Sequence, residues 1–476
     1  MPARPGWRLP LGLMLGAFIA LLDVSIVTVA LPDIGADLDT GTSGMQWIVD
    51  AYTLPLSALL LSSGAVGDRW GRKRAYLAGV AVFTLASIAC AAAPTSGGLI
   101  AARAVQGAAA ALVFTGTLSN LVQAFPEPHA RARMLGINGA VAGAAIVAGP
   151  LLGGLLVDAV GWRGIFVINL PVGLAALWLG VRAIPESSDP EHAAFDPAGQ
   201  VLGLVMLGTL TYGLIESREY GWSSAQTLTS LAVAAVAAAG FVLAERHGAP
   251  PMLPLRLFRD ARFTVPNVAS FVLGFGTSAV FFLLSLYLQQ VQGHSAMSTG
   301  LRFLPLTLSL SAVSPFATRL CARFRTTTVM TAGYALSGAA LAGLALLAPD
   351  TGFWPFAALS VLLGAGMGAS IGPTQLAGVA ALPVQRSGLG AACISTTRQV
   401  GTALGVAVLG LIVAAQAGSS VGSEQYAHGF VRGLHIAGLA TGAATLAAAG
   451  LIAGSARGRR GPVADPAGPS VRAAGV

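Results

Sequence analysis

Charge is what this chain has least of. Only 10% of its 476 residues are Asp, Glu, Lys or Arg, against about 25% in a soluble globular protein. Such a chain cannot solvate an ordinary surface. With 55% hydrophobic residues and a mean hydropathy of +0.74, most of it must face lipid. Lysine is nearly missing: Lys73 is the only one, and it follows Arg72. A phosphate-binding P-loop requires G-K-[ST], so ATP-driven chemistry is excluded. Three scattered cysteines, Cys90, Cys321 and Cys393, give no disulfide framework. The six histidines fall in loops or at helix ends except His435, which argues against a histidine proton relay.

What is present is a series of long apolar runs. A bilayer core needs about 20 apolar residues per helix. Fourteen candidates are expected, at roughly 11–32, 46–66, 75–94, 98–120, 134–157, 163–182, 198–216, 226–245, 264–288, 300–318, 328–348, 353–375, 388–414 and 431–454. The tenth is the weakest, because it carries Arg302, Pro305 and Pro315. The first run is too long for a cleavable leader and is read as a span. Twenty-one of the 27 basic residues fall in segments on one side of these spans and three on the other. The net charge of +8 is therefore the pattern of cytoplasmic loops against anionic lipid, not of a nucleic-acid binder. It places both termini in the cytoplasm. Trp47, Trp162, Trp222 and Trp354 are expected at the outer interface, and Trp7 and Trp70 at the inner one. Glu216, Arg218 and Glu219 are expected in water beyond the seventh span.

Against this background the few charges inside spans stand out. Asp23 and Arg103 each cost about 2.5–3.5 kcal/mol at a helix centre. Ionisable residues at membrane depth usually line cavities, pair with each other, and handle ions, protons or substrate. At about 1.5 Å per residue, Asp23 lies roughly 13 Å below Pro32, and Arg103 and Asp50 lie roughly 8 Å below the outer edge. An Asp23–Arg103 pair would be a proton switch: protonating the acid, or substrate approaching it, releases the guanidinium. Asp50 is open between a proton or cation site and a solvated group at the outer mouth. Arg302 and Arg398 are each open between a cavity role and a bland one, snorkelling for the first and packing for the second. Phe281, Phe282 and Tyr287 on the ninth span either line a hydrophobic cavity or face lipid.

Two further stretches carry a mechanical signal. In Gly64-Ala-Val-Gly67-Asp68-Arg69-Trp-Gly71-Arg72-Lys73-Arg74, glycines permit close approach. The Asp can sit at a neighbouring helix N-terminus, and the arginines can bridge to carboxylates, so the loop suits a cytoplasmic latch. The fifth span carries small residues from Gly143 to Gly149-Pro150-Leu-Leu-Gly153-Gly154. Small residues let backbones touch and Pro150 bends the helix. A faint repeat relates Arg103-Ala-Val-Gln106-Gly107 to Ser360-Val-Leu-Leu-Gly364, each followed by small residues. That is the pattern of two six-helix halves with two helices inserted between them.

These motifs resemble the major facilitator superfamily, whose second loop reads G-x-x-x-D-R-x-G-R-[KR]-[KR]. Leu22-Asp23-Val-Ser25-Ile-Val-Thr28-Val-Ala30-Leu31-Pro32, Arg103-x-x-Gln106-Gly107 and Gly149-Pro150-x-x-Gly153-Gly154 are similar to its fourteen-helix drug:proton antiporters. Ser25 and Thr28 stand where that family usually has Thr and Asn. Trp162 to Gly173, Leu288-Gln289-Gln290 and Arg398 to Gly405 also look like this family.

The resemblance implies an all-α membrane protein with the superfamily's fold: two six-helix bundles plus two inserted helices. The expected bundles are 1–184 and 264–456, with 185–263 between them and a disordered tail over 457–476. It implies a bacterial inner-membrane exporter of hydrophobic small molecules driven by proton entry. Proton coupling falls to Asp23 and Arg103, with Asp50 added. Gating falls to Gly64, Gly67, Asp68, Arg69, Gly71 and Arg72, and to Gly143, Gly149, Pro150, Gly153 and Gly154. Cavity candidates are Gln106, Phe282, Tyr287 and Gln289. A monomer without metal, cofactor or nucleic acid is expected. Export of a natural metabolite on the same fold is the alternative. A membrane enzyme is disfavoured, since Gly418-Ser-Ser420-Val-Gly422 formally fits G-x-S-x-G but no strand precedes it.

Overall fold

The computed structural model describes residues 7–188, 196–247, 255–382, 387–418 and 420–457. The described chain is helical almost throughout, as lipid demands: a buried backbone must satisfy its own hydrogen bonds. In chain order the long helices are α1 (Arg8–Asp37), α2 (Thr42–Trp70), α3 (Arg72–Ala91), α4 (Ser96–Ala124) and α5 (Pro128–Val160). Then come α6 (Gly164–Ala183), α7 (Pro197–Tyr220), α8 (Ala225–His247) and α9 (Ala261–Val291). Last are α10 (Ala296–Arg323), α11 (Thr326–Leu346), α12 (Phe353–Ala380), α13 (Ser387–Ala417) and α14 (Glu424–Arg457).

Among the described residues, 12 helices are long and apolar enough to cross a membrane, or up to 13 if α2 is one span. α2 is bent by 59° between Leu60 and Ser62, where Ser62, Ser63 and Gly64 weaken the helix. α10 has the length but not the apolarity; Arg302, Arg319 and Arg323 lie in it. α9 is interrupted by π turns at Gly274–Ser278 and Tyr287–Val291. The sequence pattern shows one uninterrupted span there.

Helices α1 to α6 pack mainly on one another, and so do α9 to α14. α8 packs on α7, which in turn touches both α2 and α13. Gln200 of α7 donates to the Ala58 carbonyl at 2.8 Å and accepts from Ser62. The two sets meet chiefly where α5 faces α10 and α2 faces α13. They are joined at the end that carries the α1–α2 loop. There one apolar cluster runs through both sets, from Leu31 and Trp162 to Phe282 and Leu306. Toward the opposite end the clusters separate, one around Tyr76 and the other around Tyr334.

The glycine stripe of α5 reports the same boundary. A Cβ on Gly154 would fall on the backbone of Ala296 and Met297, and Gly300 abuts Pro150. A Cβ on Gly143 would meet Ser311 at 3.2 Å, whereas Gly139 and Gly136, further along the stripe, meet nothing. The helices thus touch down to mid-depth and part below it, leaving a cleft open at the α2–α3 loop end.

Tryptophan placement differs in part from the expected belts. Trp7, Trp70, Trp222 and Trp354 are exposed. Trp162 is buried and donates to Asp37 at 3.0 Å. Trp47 donates to Glu216 at 2.8 Å, so that acid holds α7 against α2 rather than facing water. The tail from 458 onward, and with it most of the expected disordered segment, lies outside the described residues.

Candidate functional site

The two charges singled out in α1 and α4 form a buried ion pair. Arg103 donates to Asp23, and their exposures are 2% and 0%. Gly107 explains the approach of α4 to α2, since a Cβ there would collide with the Tyr52 carbonyl. One turn earlier on the same face, the Arg103 guanidinium lies 4.4 Å from the centre of the Tyr52 ring. It also donates to the Ile48 carbonyl at 3.1 Å and to Gln106 Oε1 at 2.7 Å.

Asp23 accepts two more bonds, from Gln106 Nε2 at 3.0 Å and from Asn169 Nδ2 at 3.2 Å. Ser87 ties both amides together, at 2.9 Å to Gln106 and 3.3 Å to Asn169. Four side chains from α3, α4 and α6 thus enclose the α1 carboxylate, and all five residues are no more than 2% exposed. A buried pair of this kind repays its desolvation only when the remaining lone pairs and protons are also satisfied. Here Asp23 accepts three bonds and Arg103 donates through Nε and Nη1, while Asn169 Oδ1 has no partner among the described residues. Both amides turn their N–H groups toward Asp23 here, so a protonated Asp23 gains an acceptor from Asn169 only when that amide turns over.

The sequence reading assigned Gln106 to the substrate cavity; the structure puts it inside the charge network. Asn169 and Ser87 carried no assigned role. An amide inside the apolar sixth run was a usable signal for Asn169. Ser87 offered none, because small hydroxyls recur throughout these helices.

Asp50 does not join the pair. It is buried, its Oδ1 accepts from Thr53 at 3.3 Å, and its Oδ2 has no partner among the described residues. Burial replaces the solvated outer-mouth alternative. One turn away, Gln46 crosses to the other helix set and donates to the Val406 and Ala407 carbonyls at 2.8 and 3.2 Å.

The second loop is built differently from expectation. Gly71, at φ +107°, separates α2 from α3. Asp68 pairs with Arg72 across that break at 2.7 Å and does not cap a neighbouring helix. The anion at the α3 N-terminus is Glu186, which accepts from the Lys73 amide at 3.1 Å and lies 3.5 Å from Arg74. Its carboxylate lies where a side chain on Gly71 would go. Gly64 touches nothing, and Gly67 makes only ordinary contact with α3. Arg69 has no ion pair among the described residues.

The α5 residues sort by partner. Gly149 and Gly153 lie against Ser25 and Ile26 of α1, while Gly143, Pro150 and Gly154 face α10. Of the α9 candidates, Phe282 and Tyr287 are buried in the closed seam, which removes the lipid-facing alternative. The Tyr287 hydroxyl donates to the Ala348 carbonyl at 2.6 Å. Gln289 donates to the Val29 carbonyl at 2.8 Å, and neighbouring Ser285 to the Thr28 carbonyl at 2.7 Å. The bonds from Gln289 and Ser285 are ties between helix sets at the closed end.

Comparison with known proteins bears on this arrangement. Residues 13–406 match the family described as Major Facilitator Superfamily. The chain is 37% identical over 401 residues to the multidrug resistance protein Stp of Mycobacterium tuberculosis, covering 84% of this chain and 74% of that protein. It is 37% identical over 398 residues to the methylenomycin A resistance protein of Streptomyces coelicolor, covering 84% of each. Its fold is similar to that of a bacterial homolog of the lysosomal transporter Spinster, with a TM-score of 0.67 at 17% identity, over 96% of this chain and 98% of that one.

Proposed function

The chain belongs to the Major Facilitator Superfamily, and from that premise we propose that it is a proton-coupled exporter of hydrophobic drugs or antibiotics. Membership makes it a multi-pass membrane transporter and not an enzyme. The reading beyond that rests on one observation: a fully buried Asp23–Arg103 pair enclosed by polar side chains at membrane depth.

In this reading α1–α6 and α9–α14 are two bundles that rock about a central cleft. All fourteen long helices span the membrane, α10 keeping its arginines near the ends or in the cleft. Both termini lie in the cytoplasm of a bacterial cell, as the basic residues direct. The cleft then opens inward in the observed state, and the seam of α1, α5, α9 and α10 is the outer gate. A proton arriving at Asp23 neutralises it and frees Arg103 from its counter-charge. The Asn169 amide turns over, and its free oxygen takes the acid's hydrogen bond. Asp50, buried with one oxygen unpartnered, is a second candidate for carrying a proton. Asp68, Arg72 and Glu186 form the latch at the inner end. The transporter works as a monomer without a cofactor.

One proton falling through ~150 mV supplies about 3.5 kcal/mol, enough for a substrate gradient of a few hundredfold. Everted vesicles from a drug-sensitive host test the proposal. Imposing a proton gradient should drive dye or antibiotic uptake, and adding the compound should accelerate proton efflux. Equal uptake with the gradient collapsed would refute proton coupling.

A further inference from the structure

Three arginines lie inside the helices at depth, and they are not equivalent. Arg103 is held by Asp23, Gln106 and Ile48. Arg302 lies 5.5 Å from the centre of the Phe353 ring. Arg398, on α13, has no carboxylate, hydrogen-bond acceptor or aromatic face as partner for its guanidinium among the described residues. It is nevertheless largely shielded from solvent. A guanidinium left this way, half-buried and without a counter-charge from the chain, can take one from outside it.

Its surroundings are polar and rigid. Arg398's carbonyl abuts Gly274 at the π turn of α9, which lets the two backbones touch. Such turns recur at functional sites. In the same bundle the Tyr334 hydroxyl of α11 lies 3.1 Å from Thr374 of α12. Thr397 donates to Asn267 Oδ1 at 3.3 Å. No acid faces Arg398 from these helices. By position, Arg398 lies about 12 Å along α13 from Val406, the level where Gln46 closes the seam, and it lies on the side where the cleft is open.

We infer that Arg398 is an anion-recognition subsite of the cleft, taking the carboxylate or phosphate of an amphipathic substrate while its apolar body lies along the helices. The inference rests on the exporter reading and adds the substrate class to it. The guanidinium's paired N–H groups suit a bidentate carboxylate. Asp23 and Asp50, in the other bundle, leave the proton site separate from the anion site.

The test is equilibrium binding to the purified full-length chain, with no membrane and no gradient, so it does not depend on proton coupling. The probes are fusidate and its methyl ester. A charge-assisted pair of this kind is worth about tenfold or more in affinity. The wild type should bind the acid at least about tenfold more tightly than the ester. Arg398→Gln should erase that preference by weakening the acid alone. Arg398→Lys should keep part of it. Unchanged ester binding in both variants shows that the fold survives. An acid preference that persists in Arg398→Gln, or no preference in the wild type, overturns the inference. Failure of gradient-driven uptake in vesicles would instead strike the exporter reading.

Discussion

Asp23→Asn is expected to remove gradient-driven accumulation almost completely while leaving a folded protein that still lets substrate equilibrate. The amide has the shape of the carboxyl and can keep its contacts with Gln106 and Asn169, but it takes no proton and offers Arg103 no charge. The few hundredfold gradient that one proton could sustain should fall to about one. Proton efflux on adding the compound should vanish with it. Arg103→Gln leaves the acid buried without its partner, and breaking one side of a buried pair costs about 3–5 kcal/mol. The double variant Asp23→Asn/Arg103→Gln should therefore be more stable to heat than Arg103→Gln alone. Asp23→Asn also leaves Arg103 unpaired and should lower stability whichever role Asp23 has; if Asp23 were only a structural tie, the ratio of coupled to uncoupled transport would be spared.

The second large effect is expected at Gly154. A side chain there collides with the backbone of Ala296 and Met297 across the seam, not with its own bundle. Gly154→Val should therefore spare each bundle and penalise only the state in which they meet. Overpacking of this kind costs about 1–3 kcal/mol, which shifts a two-state equilibrium by roughly 5- to 150-fold. A single cysteine placed at Val29, fully buried in the seam, reports the shift. Labelling by an impermeant thiol reagent from outside should be slow in the otherwise wild-type protein and fast with Gly154→Val, and export should fall in parallel. Gly149→Val makes the contrast, because its added atoms strike Ser25 of α1. It should lower thermal stability as well as transport.

Much of this arrangement was legible in the sequence because membranes penalise exceptions. Asp23 and Arg103 stood out as charges in apolar runs, and their pairing in the structure follows from that penalty. The glycines of α5 announced a close helix contact, though not that two of them face α1 and two face α10. What stayed hidden depends on distance in the chain. Glu186 lies 113 residues from the Lys73 amide it caps, and a single acidic residue in a loop gives no sign of its partner. Asn169 and Ser87 reach Asp23 from helices whose rotation no local pattern fixes. α10 shows the limit of hydropathy counting: its arginines lower its average without moving it out of the helix array.

Proton movement coupled to transport tests the central claim most directly. Purified protein in liposomes, given a compound that the vesicle assay shows to be exported, should move about one proton for each molecule of compound carried the other way. Asp23→Asn should move none at matched substrate flux. The same proton movement through both proteins would contradict Asp23 as the coupling acid.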